Sequence, residues 1–254
     1  MATTEAEQPV RRQYLRFSRL NRALHVLMIM SFLTLAMTGM TLKFSYTPWA
    51  AAMSRFFGGF ETAGSLHRFA ALVMFGIFIV HVCDLVRRGF TGPGGFRALL
   101  TGANTMLPTL KDARDFWGSF RWFLHVGPRP QLGRWTYWEK FDYFAVFWGI
   151  AVIGSTGLTL WFPEFFTRFI PGGAINVATI IHSDEALLAT GFIFTVHFFN
   201  THLRPERFPM DLVVFTGRME LEELHEDKPI EYQAMVESGQ LEAHLVEPYQ
   251  PIVT

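Results

Sequence analysis

The sequence has a single cysteine, Cys83, and no excess of charge of either sign, because 22 Lys and Arg balance 22 Asp and Glu. One cysteine excludes an internal disulfide, a CxxCH attachment for covalent haem and a four-cysteine iron–sulfur cluster. The balanced charge offers no basis for binding nucleic acid, and no nucleic-acid partner is expected. Any haem in this chain must therefore be held without a covalent bond.

Apolar residues are abundant, at 50% of 254 positions. A helix needs about 20 mainly apolar residues to cross the hydrocarbon core of a bilayer. Four segments meet this requirement, at about residues 24–42, 66–86, 143–162 and 177–197. The first is too long for the apolar part of a typical signal peptide, so we expect it to be retained. The sequence predicts an all-α, integral membrane, four-helix transmembrane bundle with amphipathic cytoplasmic or interfacial helices.

Lys and Arg are concentrated in two of the connecting regions. Five arginines precede the first segment, and nine Lys and Arg lie between the second and third, whereas the other two connections hold only Lys43, Arg55 and Arg168. Cytoplasmic loops of membrane proteins are enriched in Lys and Arg. We therefore expect both termini and the long middle loop to be cytoplasmic.

The chain divides into three regions by composition. Residues 1–18 are predicted to be a polar N-terminal tail, residues 19–215 a four-span domain, and residues 216–254 an acidic cytoplasmic tail. The inner loop, 88–141, is rich in aromatic residues and has helical patterns near 96–101 and 107–124. Such a loop is suited to lie along lipid headgroups or to dock on a partner.

Histidines within the spans are functional candidates, because ionisable side chains are costly in a membrane. His67 and His81 are 14 residues apart on the second span, and His182 and His197 are 15 apart on the fourth. In a helix these separations are roughly 21 and 22 Å, and the two side chains of each pair lie within about 40–60° of one face. Two such helices facing each other would form two bis-histidyl sites, so the pattern predicts two non-covalent b-type haems.

A fifth histidine, His25, leaves the ligands of the inner haem open. His25 lies in the first span at the same depth as His81 and His197, so three histidines compete for two positions. Gly39 follows His25 by 14 residues and lies on the same face at the depth of the outer site. The missing side chain at Gly39 would let a porphyrin approach the backbone of the first span.

Several stretches of the sequence resemble a known family. These are the first span from His25 to Gly39, Leu66-His67-Arg68, the third span through Gly154 and Gly157 to Trp161 and Pro163, Ile181-His182, and 197–202. They resemble the di-haem cytochrome b subunit of membrane-bound formate dehydrogenases (the gamma subunit) and of nickel–iron hydrogenases. The resemblance extends over about residues 15–215, and the motifs also occur in other quinone-linked enzymes.

The resemblance implies four haem ligands, which fall on His25, His67, His182 and His197. The implied pairs are His67 with His182 outside and His25 with His197 inside. The sequence departs from the family in two ways, because His81 is an additional histidine and because the His182–His197 interval is one residue longer than expected. An inner haem held by His81 and His197 therefore stays an alternative.

The resemblance also implies a function, that of an electron-transfer subunit of a quinone-linked oxidoreductase in a respiratory chain of the prokaryotic inner membrane. Its partners would be quinone, lipid and redox subunits carrying iron–sulfur clusters or c-type haems. A quinone site near the inner haem would lie around His25, His202, Arg204 and 104–124, and Arg68 is a candidate partner for a haem propionate. Two alternatives are a non-redox membrane anchor or proton-relaying transporter, and an autonomous oxidoreductase of the b561 type.

Overall fold

The computed structural model describes residues 12–205 and 207–246, and most of these are helical. Four helices are long and apolar enough to cross a membrane, which confirms the predicted all-α bundle. These spans are Arg19–Lys43 (α1), Phe60–Thr91 (α3), Tyr137–Trp161 and Gly173–Leu203. The third consists of α6 (Tyr137–Gly149), a π-helical turn (Ile150–Gly154) and α7 (Ser155–Trp161). The fourth consists of α9 (Gly173–Phe192) and two π-helical turns, Ile193–His197 and Phe199–Leu203.

Shorter elements lie at the two ends of the bundle. The connections on one side contain α2 (Pro48–Phe56) and α8 (Pro163–Phe166). The middle loop contains α4 (Gly95–Thr101) and α5 (Leu110–Phe123), close to the two predicted helical stretches. The remaining elements are β1 (Gln13–Leu15), α10 (Val213–Thr216), β2 (Arg218–Glu220), α11 (Leu221–Asp227), α12 (Pro229–Glu237), α13 (Leu241–His244) and β3 (Leu245–Val246).

The first span packs along most of the second, and the fourth span contacts both the first and the third. Small side chains fill these contacts, as is typical where helices associate within a bilayer. Ser31, Thr38 and Thr41 are buried on the first span, and Ala63 and Ala70 on the second. Large apolar side chains instead cover the outside of the bundle. Examples are Met30, Phe69, Leu72, Ile180 and Leu188, each more than half exposed. An apolar surface of this extent is suited to contact with lipid and not with water.

The π-helical turn at Ile193–His197 explains the long interval between His182 and His197. A π-helical hydrogen bond spans five residues where an α-helical bond spans four, so a single π turn accommodates an additional residue. The turn lies between the two histidines and ends at His197 itself. The turn therefore accommodates one more residue between His182 and His197 than a continuous α-helix of the same length would.

The sequence-based division at residue 18 is wrong for residues 12–18, which are not a free polar tail; residues 1–11 lie outside the described residues. β1 is the central strand of a three-stranded antiparallel sheet, in the order β2-β1-β3. Tyr14 on β1 is only 1% exposed and packs with Val213, Met219 and Leu224. Residues 12–18 and 211–246 therefore form a small folded unit, the cap, at the end of the bundle that also holds the middle loop.

Buried ion pairs attach the cap to the third span. Arg16 contacts Glu139 at 3.1 Å and Glu231 at 3.5 Å, Lys228 donates to Glu139 at 2.7 Å, and Arg134 donates to Glu231. Burial lowers the pKa of Lys228, and the neighbouring Glu139 only partly offsets this. Buried charges are tolerated only when they are paired in this way. This network could not be predicted from the sequence, because its members are far apart along the chain.

A buried ion pair joins helix α5 to the start of the third span, where Lys140 donates to Asp112 at 2.9 Å. Burial raises the pKa of Asp112, but hydrogen bonds from Thr109 and Lys140 lower it more, so the pKa lies below its usual value. The stabilisation by this carboxylate is thus present above its ordinary pKa and is lost as the pH falls below it. Most of the large apolar side chains of α5 stay exposed, including Phe116, Trp117 and Phe123.

Candidate haem-binding sites

His67 and His182 face each other between the second and fourth spans, toward the end of the bundle away from the cap. Their ring centroids are 6.1 Å apart and their planes are inclined by 76°. A metal–imidazole bond of about 2.0 Å, with the nitrogen about 1.2 Å from the ring centre, separates two axial imidazoles by roughly 6.4 Å. The observed separation therefore fits two imidazoles on opposite sides of one iron.

The tautomer of His67 is set by Thr38 on the first span. The Thr38 hydroxyl donates its proton to the Thr34 carbonyl at 2.6 Å, and its oxygen lies 3.0 Å from His67 Nδ1. Because that proton is already used, Nδ1 of His67 is the donor in this contact. The lone pair of the neutral ring is then on Nε2, which is the nitrogen that haem iron would take.

His182 is held in the same tautomer by the third span. Its Nδ1 lies 2.9 Å from the carbonyl oxygen of Ile153, which can only accept, so Nδ1 carries the proton. Ile153 belongs to the π-helical turn Ile150–Gly154. Such turns are frequent at functional sites because they disturb the regular pairing of backbone carbonyls. A backbone carbonyl that orients an imidazole is a common supporting contact of metal-binding histidines.

A glycine on the neighbouring span lies against each of these two rings. A Cβ atom at Gly39 would be 3.2 Å from His67 Cε1, and one at Gly157 would be 2.9 Å from His182 Cε1. Gly39 was expected to make room for a porphyrin next to the first span. In the structure, the nearest neighbour of Gly39 is instead the imidazole of His67, so the glycine permits the close approach of that ring.

A second group of histidines lies nearer the cap. His25 is close enough to His197 and His202 to interact with both electrostatically. The Nδ1 atom of His25 is buried without a hydrogen-bond partner among the described residues. His197 Nδ1 lies 2.9 Å from Asp142 Oδ2 on the third span. A carboxylate accepts, so Nδ1 carries the proton and the lone pair of the neutral ring is on Nε2, as in His67 and His182.

His81, the alternative inner ligand, differs from the other candidates. Its Nε2 forms a 2.8 Å hydrogen bond with the hydroxyl group of Tyr143 on the third span. Its ring also lies against those of Tyr143 and Phe147, at 5.6 and 6.2 Å between centroids. The nitrogen that an iron would need is therefore engaged, and the second span directs His81 to the third span.

The remaining candidates lie at the edges of the two sites. His202 accepts a hydrogen bond at Nδ1 from the backbone amide of Asp211, which leaves the proton of a neutral ring on Nε2. This tautomer is opposite to that of His197. Arg68 is exposed, contacts Ser65 and lies 6.0 Å from the ring centre of Trp161. Arg204, the other quinone-site candidate, ends the fourth span.

Four groups that hydrogen-bond to the candidate histidines were not predicted from the sequence. They are Thr38, Asp142, Tyr143 and the Ile153 carbonyl. Asp142 carried a signal, because a carboxylate near a membrane span is costly and points to a function. A threonine hydroxyl or a backbone carbonyl carries none.

Among the described residues, no group of three or more His, Cys, Asp or Glu side chains could hold a metal ion. Haem iron needs only two axial imidazoles, and pairs of histidines are what the spans present. Comparisons with protein-family models and with curated proteins gave no match to this chain.

Proposed function

We propose that this chain is a di-haem cytochrome b subunit that carries electrons between a membrane quinone pool and a redox partner. The observation that supports this best is the His67–His182 pair, with centroids 6.1 Å apart and with Nδ1 of both rings hydrogen-bonded to the protein. This arrangement presents two Nε2 lone pairs within the apolar interior of a bundle.

The second haem would be held by His25 and His197. His197 has the supporting carboxylate of Asp142 and lies close to His25 on the first span. His81 is less suited, because Tyr143 takes its Nε2. The family resemblance supports the same four ligands, and the π-helical turn accounts for the one-residue departure in their spacing.

Bound haem would supply one-electron oxidation and reduction, and the chain would supply everything else. Thr38, Ile153 and Asp142 orient the imidazoles and fix their tautomers. The bundle excludes water, and the two histidine levels, roughly 21 Å apart along the helices, divide the distance across the membrane. A partner subunit with iron–sulfur clusters or c-type haems would exchange electrons with one haem. The chain would lie in the inner membrane of a prokaryote, with both of its termini in the cytoplasm.

Purification of the full chain followed by a pyridine haemochrome assay tests this proposal. We expect a red protein with about two b-type haems per chain, and with about one after His67→Ala or His182→Ala. The non-redox anchor or transporter alternative requires a colourless protein. His125→Ala is a suitable control, because His125 lies in the middle loop, outside the spans.

A further inference from the structure

The His81–Tyr143 pair has no role in the proposed electron path. The two side chains come from the second and third spans and form a direct 2.8 Å hydrogen bond. On the second span, the buried Asp84 follows one turn later and pairs with Arg87 and Arg88 at 2.7 and 2.6 Å. The pair therefore lies where the apolar span meets the charged end that carries the middle loop.

An apolar groove lies next to Phe147, whose ring contacts both members of this pair. The groove has a volume of about 350 Å³ and is lined by Phe78, Phe144, Phe147, Trp148, Ile150 and Ala151. The ring of Phe147 joins the groove to the pair, because its centroid is 6.2 Å from that of His81 and 5.0 Å from that of Tyr143. Phe144 and Trp148 are about half exposed, so the groove opens toward the lipid.

We propose that this groove binds the ring of a membrane quinone or quinol, with the His81–Tyr143 pair hydrogen-bonding one of its ring oxygens. The inference rests on the proposed function, and it puts the quinone at a different position from His202 and Arg204. Apolar, aromatic-lined pockets with a few convergent polar groups are typical of small-molecule sites. A lipid acyl chain would fill the apolar part but would leave the polar pair unused, whereas a quinone satisfies both.

The pair is suited to either oxidation state of the ligand. Tyrosine can donate or accept, and a neutral imidazole has one donor and one acceptor nitrogen. When His81 donates from Nε2 to the Tyr143 oxygen, the Tyr143 hydroxyl is free to donate to a quinone carbonyl. When Tyr143 instead donates to Nε2, its remaining lone pair can accept from a quinol hydroxyl. The aromatic side chains that line the groove offer ring faces and edges against which the flat ring of the ligand can pack.

The test is a fluorescence titration with 2-heptyl-4-hydroxyquinoline N-oxide, a quinol analogue, on the purified full-length chain in detergent. Tyr143→Phe removes one hydrogen-bonding group, so we expect binding about three- to tenfold weaker. Ala151→Phe fills the groove and should weaken binding more than about tenfold. The matched control is Leu188→Phe, at a position 66% exposed on the fourth span, which should leave binding unchanged.

Two results would overturn the inference. One is unchanged binding in both Tyr143→Phe and Ala151→Phe; loss of binding in His202→Asn would then place the analogue near His202. The other is weaker binding in Ala151→Phe but not in Tyr143→Phe, with phospholipid displacing the analogue, which indicates that the groove holds an acyl chain and that the polar pair plays no part. The haem content of the same preparations is read separately. A wild-type protein without haem contradicts the proposed function, whereas lost binding in Ala151→Phe at full haem content supports the quinone site alone.

Discussion

Gly157→Ala tests how the outer site is built. The new methyl group would lie 2.9 Å from Cε1 and 3.2 Å from Nδ1 of His182. Carbon atoms in contact are normally about 3.5–4.0 Å apart, so the ring must retreat by roughly 0.6 Å or more. That movement also stretches the 2.9 Å hydrogen bond from Nδ1 to the Ile153 carbonyl. Overpacking of this kind destabilises a site by about 1–3 kcal/mol.

If the whole of that energy is lost from the binding of haem at the outer site, the affinity of this site for haem drops about 5- to 150-fold. The assay is the haem-to-protein ratio after gel filtration at low protein concentration, together with the absorption spectrum of the reduced protein. We expect a ratio near one for Gly157→Ala, and a milder loss for Gly39→Ala, where the contact with His67 is 3.2 Å.

Gly191→Ala is the matched control, since a Cβ atom there meets no atom within 4 Å. All three substitutions gain the same helix propensity from replacing glycine by alanine, so only the contacts differ. Full haem content and an unchanged spectrum in Gly157→Ala, indistinguishable from Gly191→Ala, would refute the packing argument.

Three further predictions concern other parts of the chain. His25→Ala should lose about half of the haem and His81→Ala almost none, as measured by pyridine haemochrome; the reverse result would make His81 the ligand. Asp142→Asn weakens the negative partner of His197, so the midpoint potential of one haem should rise by roughly 50 mV in a redox titration, given 59 mV per tenfold change for one electron; an unchanged potential would contradict a supporting role. Leu224→Ala removes a fully buried side chain of the cap and should destabilise it by about 2–5 kcal/mol, detected as faster limited proteolysis of the C-terminal segment; unchanged proteolysis would show that this core does not hold the cap.

The four spans could be predicted from the sequence because each is a continuous apolar run, and length alone identifies such a run as a transmembrane helix. The cap could not be predicted. β1 is only three residues long, and its partners β2 and β3 lie about 200 residues further along the chain. No local pattern reveals a pairing at that separation, and the same holds for the Glu139 and Glu231 ion pairs.

The candidate site shows the same limit at a finer scale. Helical spacing was enough to predict that His67 and His182 lie at one level, since 1.5 Å per residue fixes the depth. Spacing could not decide between His25 and His81, because both lie at the right depth. The two histidines differ in the hydrogen bond between His81 and Tyr143, which depends on how the second and third spans are rotated. The π-helical turn before His197 was equally hidden in the sequence, because no residue type marks such a turn.

An experimental density map of the purified protein would show whether haem lies between His67 and His182. We expect a flat macrocycle there, with its iron about 2 Å from the Nε2 atom of each imidazole. Density that shows the two imidazoles packed only against other side chains, in a protein purified from cells able to make haem, would contradict this expectation.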